Sequence, residues 1–187
     1  MNHAIVFTGG PGAGKTSLIA ELARRGYAHM PEAGRAIIQS QMAIGGDALP
    51  WSDRRLFSEW MLCWDLRSYQ TACSMNGPVM MDRGLGDVIG YLTLCGLAVP
   101  DHFWRAAKEY RYYDTVFLAP FWPEIFTQDQ ERKQNLAEAK TTAEVMEDIY
   151  LQLGYRVVTM PFASVTERAD LILRQLAPHF RTSSASL

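Results

Sequence analysis

The glycine-rich stretch Gly9–Thr16 constrains the fold more strongly than any other feature of the chain. Its residues fit the pattern G-x-x-x-x-G-K-[ST] of a phosphate-binding loop, or P-loop. The apolar run Ala4–Phe7 precedes it, and Leu18, Ile19 and Leu22 follow at helical spacing. A strand, a glycine-rich loop and a helix in this order predict that backbone N–H groups surround the phosphates of a nucleotide.

The residues of the P-loop have distinct predicted roles. Its glycines are needed because a Cβ atom would block the close approach of the phosphates or the turns with positive φ. Lys15 is expected to reach the β- and γ-phosphates, and the Thr16 hydroxyl is expected to hold Mg²⁺. The predicted nucleotide-binding residues are Gly9, Gly10, Pro11, Gly12, Ala13, Gly14, Lys15, Thr16 and Ser17.

Strand and helix patterns alternate along the chain, and they predict a single α/β nucleotide-binding domain over residues 1–180. We expect the three-layer P-loop NTPase fold, with a five-stranded parallel sheet and helices on both of its faces. The remaining residues 181–187 are predicted to form a flexible tail.

Charged residues follow two of the predicted strands, where ligands of open α/β sheets bind. Asp82 ends the third strand and is a candidate for holding Mg²⁺ or its water, while Arg83 can clamp a phosphate or orient Asp82. A surface salt bridge is the alternative for this pair. Glu32 follows the second strand, and it is either a general base for an acceptor hydroxyl or a glutamate favoured at a helix start.

The polar segment 121–135 follows the fourth predicted strand and is a candidate for a short lid over the phosphates. It contains Asp129, Arg132 and Lys133. A lid supplies a cation that neutralises charge during phosphoryl transfer, and Arg132 is our candidate for that catalytic role. The alternative is a solvated helix face of mixed charge.

A long helix is predicted after Ser52 or Asp53, either of which can cap it. Its aromatic residues form either a stripe of the hydrophobic core or a surface on which a planar substrate stacks. The side chains expected on its buried side are Leu56, Phe57, Trp60, Met61 and Trp64.

The composition argues against several classes of partner. The net charge is −2 and the isoelectric point is about 6.1, so no basic surface that would hold nucleic acid is expected. No apolar run reaches the roughly 18 residues of a membrane span, and no secretory signal precedes Ala4. Cys63, Cys73 and Cys95 lack metal-ligand spacing, so we expect free thiols and a cytoplasmic location.

The order of these motifs resembles a small AAA-like P-loop ATPase and kinase family. This family includes nicotinamide-riboside-kinase-like domains, and the chain resembles the deoxynucleoside kinases more distantly. The resemblance spans nearly the whole chain. It rests on residues 9–16, 31–35 and 82–84, on Asp129 with residues 131–132, and on residues 155–161.

The resemblance implies a kinase-like core that takes ATP or GTP with Mg²⁺. In deoxynucleoside kinases a glutamate after the second strand is the base, and Glu32 matches it. Asp82 and Arg83 match an acidic residue followed by arginine, although Asp82 replaces the more usual glutamate and Gly84 replaces a hydroxyl residue. The lid of those kinases carries more than one arginine, whereas the segment 121–135 has Arg132 and Lys133. These departures bear on the identity of the substrate.

Two functions are compatible with this sequence. We expect a Mg²⁺-dependent kinase that transfers the γ-phosphoryl group of ATP, or alternatively GTP, to an unidentified small hydroxyl acceptor such as a nucleoside-like molecule. The alternative is a nucleotide-switched NTPase or regulatory module that acts through a protein partner. Base contacts are expected from Pro161–Ser164, and an open pocket between Glu32 and the helix 51–74 favours the kinase. The oligomeric state stays open.

Overall fold

The structure is a computed structural model that describes residues 3–123 and 136–180. Its five strands are β1 (Ala4–Gly9), β2 (Ala28–Met30), β3 (Val79–Asp82), β4 (Thr115–Ala119) and β5 (Arg156–Thr159). Its helices are α1 (Lys15–Arg24), α2 (Ala33–Ile44), α3 (Arg54–Cys73), α4 (Leu85–Leu94), α5 (Asp101–Glu109), α6 (Leu136–Gln152) and α7 (Val165–Leu176).

The five strands form one parallel sheet in the order β2-β3-β1-β4-β5. The central strand β1 is completely buried and alternates its side chains between two hydrophobic clusters. Ala4 and Val6 pack with residues of α3, α4, α5 and α6, whereas Ile5 and Phe7 pack with α1 and α7. Helices therefore cover both faces of the sheet, because each strand is apolar on both sides.

The ends of the long helices follow local capping chemistry. The Asp53 side chain accepts a hydrogen bond from the Leu56 N–H group and begins α3. Ser164 and Glu167 form a capping box that begins α7. Of the two predicted caps of α3, Asp53 is the one that the structure uses.

The predicted α/β class and five-stranded parallel sheet are confirmed. One packing prediction is wrong. Leu56 and Trp60 are 39% and 44% exposed, so they do not belong to the buried side of α3. The buried stripe instead contains polar residues, among them Asp65 and Ser68. The positions of the apolar residues in the sequence do not reveal that polar stripe.

Other predictions fall on parts of the chain that are not described. The lid residues Asp129, Arg132 and Lys133 and the tail 181–187 lie outside the described residues. Cys63 and Cys73 are exposed and Cys95 is half-buried, and none of them forms a disulfide among the described residues. None of the described helices combines the length and the apolar character that a bilayer span needs.

Gly9 joins β1 to the P-loop at a point where no side chain fits. Its φ is 121°, and a Cβ atom would lie 2.2 Å from the carbonyl oxygen of Ala119 on the neighbouring strand β4. Both partners of that clash are backbone atoms of central strands, so neither can move without disturbing the sheet.

We therefore expect Gly9→Ala to lower the free energy of unfolding by about 3 kcal/mol, because overpacking adds to backbone strain. Gly26→Ala is the matched control. Gly26 also has a positive φ, 93°, but nothing lies within 4 Å of its added Cβ atom. That variant should lose only about 1 kcal/mol. Urea denaturation of both variants measures the difference, and equal losses would contradict the steric argument.

Candidate functional site

The P-loop bends around the side chain of its own lysine. Gly14 has a left-handed conformation and precedes α1, and Lys15 begins the helix. The Lys15 ammonium donates hydrogen bonds to the carbonyl oxygens of Gly9 at 3.0 Å and Gly10 at 2.7 Å. Burial, with the nearby Arg83 guanidinium, lowers the pKa of Lys15 to about 7. A bound anion would therefore raise the pKa of Lys15 back toward its ordinary value.

A cavity of about 510 Å³ opens over the P-loop, and we call it the P-loop cavity. Its walls come from the loop, from Glu32 and Arg35, from Trp122, and from the segment that leads into α7. The lining residues are Pro11, Gly12, Ala13, Gly14, Lys15, Thr16, Ser17, Glu32, Arg35, Trp122, Ala163, Ser164, Val165 and Arg168. The loop N–H groups and the N-terminus of α1 give this cavity the chemistry of an anion site.

Arg168 connects two walls of the P-loop cavity. Its Nη1 donates a hydrogen bond to the carbonyl oxygen of Ala13 at 3.2 Å, and its Nε donates to that of Pro161 at 2.9 Å. The guanidinium carbon lies 4.8 Å from the centre of the Trp122 ring. This cation–π contact and the two hydrogen bonds hold the segment after β5 next to the P-loop. The predicted base-contacting segment Pro161–Ser164 thus borders the P-loop cavity.

Asp82 and Thr16 fit the requirements of Mg²⁺. Asp82 ends β3 with 8% exposure, and its buried Oδ1 atom has no hydrogen-bond partner in the part of the chain that the structure describes. Burial raises the pKa of Asp82, partly offset by the Lys15 ammonium. Thr16 is exposed and lines the P-loop cavity. The described residues contain no group of three His, Cys, Asp or Glu that could hold a metal ion, and Mg²⁺ beside phosphates needs only one or two protein oxygens.

Arg83 ties together the ends of three elements of the fold. Its Nε donates to Glu32 Oε1 at 2.9 Å, and its Nη1 donates to the Gly9 carbonyl oxygen at 3.2 Å and to Asp87 Oδ1 at 2.9 Å. Among the described non-glycine residues, it alone has a positive φ, at 75°. Although burial opposes the charge of Arg83, the carboxylates of Glu32, Asp87 and Asp82 raise its pKa. These contacts hold the strained conformation.

Asp87 supports Arg83 from the first turn of α4. Its Oδ1 atom also accepts a hydrogen bond from the Thr8 hydroxyl at 2.7 Å. Its Oδ2 atom accepts from the Tyr150 hydroxyl at 2.7 Å and from the Gly84 N–H group at 3.1 Å. Asp87 is only 4% exposed, so this network satisfies a buried carboxylate and fixes α4 and α6 relative to β1.

A second cavity of about 400 Å³ lies beside the first, and we call it the α3 cavity. Helices α2, α3, α4 and α6 contribute to its mostly apolar wall, which includes Ile38, Phe57, Met61, Val88 and Met146. Charged residues line it as well: Glu32, Arg54, Asp65, Arg83 and Asp87. Pro11 and Glu32 line both cavities, so the two cavities adjoin at these residues.

The structure brings most of the predicted site residues to one edge of the sheet. Lys15, Thr16 and Glu32 line the P-loop cavity, Arg83 contacts Glu32, and Asp82 ends the strand beside the loop. Phe57 is buried in a hydrophobic cluster with Ile38 and also lines the α3 cavity, so the core and stacking alternatives both stay open for it. Arg132 lies outside the described residues.

Sequence analysis missed three residues of the site: Asp65, Asp87 and Arg168. Asp87 had a detectable signal, because an acidic residue three positions after Gly84 is the spacing of a capping box. Asp65 follows Phe57 and Met61 at intervals of four residues, and only that spacing marks it as part of the same helix face. Arg168 had no signal, since a charged residue in an amphipathic helix is ordinarily solvated.

The motif resemblance agrees with a comparison to protein families. A family model described as an AAA domain matches residues 4–168. The chain belongs to this AAA domain family. A search of curated proteins finds no match.

Solved structures with the same architecture include a deoxyadenosine kinase and the NadR protein. A deoxyadenosine kinase from M. mycoides, bound to dCMP and a flexible dCDP, superposes with a TM-score of 0.69 at 16% identity over 94% of this chain and 99% of that chain. The NadR protein in complex with NR superposes with a TM-score of 0.65 at 17% identity. That match covers 100% of this chain but 54% of NadR, so the chain spans about half of NadR's length. The chain therefore has a P-loop, kinase-like fold.

We expect Asp87→Asn to lower the free energy of unfolding by about 3 kcal/mol. The substitution removes the carboxylate that pairs with buried Arg83 and disrupts the network with Thr8 and Tyr150. Lys140→Gln is the control, because its pair with Glu144 is exposed, and it should leave the unfolding transition unchanged. Chemical denaturation followed by circular dichroism measures both. A wild-type transition for Asp87→Asn would show that the network does not stabilise the fold.

Proposed function

We propose that the protein is a Mg²⁺-dependent phosphotransferase that moves the γ-phosphoryl group of ATP to a small acceptor carrying a hydroxyl group. The observation that carries this proposal is the meeting of the P-loop cavity and the α3 cavity at Glu32. A nucleotide in the first cavity and an acceptor in the second would place their reacting groups on either side of that carboxylate. Such proximity is the main requirement of phosphoryl transfer.

In this proposal, the P-loop residues bind and orient the nucleotide. The N–H groups of the loop hold the β- and γ-phosphates, and Lys15 exchanges its bonds to the Gly9 and Gly10 carbonyl oxygens for phosphate oxygens. Thr16 and Asp82 would hold Mg²⁺, which supplies charge neutralisation and keeps the phosphates in place. The segment Pro161–Ser164 and Trp122 would border the base.

Glu32 is the proposed general base. It would take the proton of the acceptor hydroxyl as that oxygen bonds to the γ-phosphorus and the bond between the γ-phosphorus and the bridging oxygen breaks, which releases ADP. Arg83 holds the Glu32 carboxylate at 2.9 Å and would orient it toward the α3 cavity. Arg132 would neutralise charge on the transferring group, and this role stays a prediction from the sequence.

The relatives support an acceptor of the nucleoside type. The similar structures include a deoxyadenosine kinase with dCMP and dCDP, the same kinase with dATP, and NadR with NR. We infer that the α3 cavity takes a molecule of comparable size. ATP is the proposed phosphoryl donor, and GTP is the alternative.

A second candidate function is a nucleotide-switched NTPase or regulatory module that acts through a protein partner. It is favoured by large apolar side chains that are exposed around α2 and the start of α3. Met42, Ile44 and Trp51 are 60%, 74% and 58% exposed. Exposed apolar surface of this kind can bind a protein. The open α3 cavity makes the kinase the stronger proposal, since a pure switch does not need an acceptor pocket.

The experiment that tests the proposal is ADP formation from Mg·ATP with and without pooled nucleosides and other small hydroxyl compounds. We expect ADP that depends on the pool, with no release of inorganic phosphate. Lys15→Ala should abolish productive nucleotide binding, and unchanged affinity would contradict the central assignment. Equal ADP and phosphate in both reactions would favour the NTPase or switch instead.

With an active acceptor in hand, Glu32→Gln should lower kcat by about 10²- to 10⁴-fold, because the variant cannot accept the hydroxyl proton. The amide of this variant keeps an oxygen that can accept the hydrogen bond from Arg83, so KM for ATP should stay near the wild-type value. Steady-state kinetics separates these two constants. Ser40→Ala is a control on α2, because Ser40 is exposed and lines neither cavity, and it should leave kcat close to wild type. Acceptor-dependent turnover that survives in Glu32→Gln would rule out Glu32 as the base.

Nucleotide binding should also take up a proton. Because burial holds the pKa of Lys15 at about 7, the side chain is partly neutral in the free protein, and bound phosphates would raise its pKa. Uptake should therefore grow between pH 6 and pH 8, as the free side chain loses its proton. Calorimetric titration with Mg·ADP in buffers of different ionisation enthalpy measures this number. Uptake that falls between pH 6 and 8 would contradict the assignment to Lys15.

A further inference from the structure

Asp65 is a buried carboxyl group in the wall of the α3 cavity that the proposed mechanism does not use. It lies on α3 with Phe57 and Met61, spaced four residues apart, and all three line the cavity. Asp65 is 6% exposed, and the cavity wall around it is mostly apolar. Burying an ionisable group among apolar side chains costs free energy unless another group forms a hydrogen bond or an ion pair with it.

Within residues 3–123 and 136–180, Asp65 has neither a hydrogen-bond donor nor a salt-bridge partner. Asp87, by contrast, accepts four hydrogen bonds. Burial raises the pKa of Asp65 well above its usual value, and the negative charges of Asp87 and Glu32 add to that effect. The positive charge of Arg83 lowers the pKa of Asp65, whereas the negative charge of Asp82 raises it further.

The same surroundings would favour a positive or hydrogen-bond-donating group in the α3 cavity. A ligand N–H group would give the Asp65 carboxyl the hydrogen-bond partner that it lacks. The negative charges of Asp87 and Glu32 would also attract such a group, for the same reason that they disfavour the ionisation of Asp65. The apolar walls from Phe57, Met61 and Val88 suit a flat ligand body. Glu32, at the junction with the P-loop cavity, would face the hydroxyl of the same ligand.

We infer that Asp65 selects the acceptor by binding an N–H donor group, so that the preferred acceptor is a flat molecule with an amino or amidine group as well as its reacting hydroxyl. This inference rests on the proposed function, because it describes the acceptor of that reaction. Asp65 is then a specificity-determining residue, while Glu32 acts on the hydroxyl. A site that bonds a ligand N–H rejects analogues without it, because its own polar group stays unpaired.

Binding to matched pairs of ligands tests the inference without any turnover. The protein is first saturated with Mg·ADP to fill the P-loop cavity. Calorimetry then compares cytidine with 2-pyrimidinone riboside, adenosine with purine riboside, and benzamidine with acetophenone, where only the first member of each pair has the N–H donors of an amino or amidine group. In at least one pair the first member should bind about tenfold more tightly or better. In Asp65→Leu that preference should fall below about threefold.

Two further variants make the result specific to Asp65. Arg67→Ala removes an exposed charge from the same helix and should keep the wild-type preference. Asp65→Asn keeps the size and the hydrogen-bonding capacity but cannot ionise. It should retain part of the preference for cytidine and lose about tenfold in affinity for the benzamidinium cation. If Asp65→Leu does not fold, the loss of benzamidine affinity in Asp65→Asn decides the question.

Three results would overturn the inference: no preference within any pair for the wild type, no binding of any member, or a preference that persists in Asp65→Leu. The two proposals can fail separately. Absence of ADP formation with intact discrimination by Asp65 would reject the kinase reaction and keep the binding specificity. Acceptor-dependent ADP formation without discrimination would keep the kinase and reject the role of Asp65.

Discussion

The arrangement of the site depends on one buried guanidinium. Arg83 bonds to Glu32 after β2, to Gly9 at the end of β1 and to Asp87 in α4. A lysine could not replace it, because an ammonium group lacks the planar fork that reaches several acceptors in fixed directions. Glu32 and the P-loop therefore have a fixed relative position, and the two cavities open on either side of this contact.

The charges at this edge of the sheet are not equally satisfied. Asp87 and Glu32 are paired with Arg83. Among the described residues, by contrast, one buried oxygen of Asp82 has no hydrogen-bond partner, and the Lys15 ammonium bonds only to carbonyl oxygens. Burial without full pairing shifts the pKa of Lys15 downward and that of Asp82 upward. Incomplete pairing of buried charges is common in sites that are preorganised for a ligand. The packing of the sheet offsets its free-energy cost.

The fold and part of the site could be predicted from the sequence, because short-range patterns carry that information. The glycines of the P-loop, the apolar run of β1 and the position of Asp82 at the end of β3 follow from local sequence alone. Parallel strands then bring their C-terminal ends to one edge, which places Glu32 near Lys15 without further information. The structure confirms the fold, and Lys15 and Glu32 line a common cavity, while Asp82 ends the strand beside the P-loop.

Other features depend on contacts between distant parts of the chain and could not be predicted. Asp65 and Trp60 both belong to α3, yet the first is buried and the second exposed, because tertiary packing decides which helix face meets the cavity. The bond from Arg168 to the P-loop joins residues 155 positions apart, and no local pattern indicates it. The left-handed conformation of Arg83 could not be predicted either, because ion pairs maintain it and arginine as a residue type does not favour it.

The long separation of these partners has a consequence for how the protein is made. Arg83 reaches back 51 residues to Glu32, and Asp87 reaches back 79 residues to Thr8. During synthesis, the P-loop therefore leaves the ribosome long before the residues that hold β1 and β2 in register with it. Until α4 has emerged, the nascent chain carries a glycine-rich loop that nothing fixes in place. Arg83 can therefore fix the P-loop relative to Glu32 only after the chain has been made as far as α4.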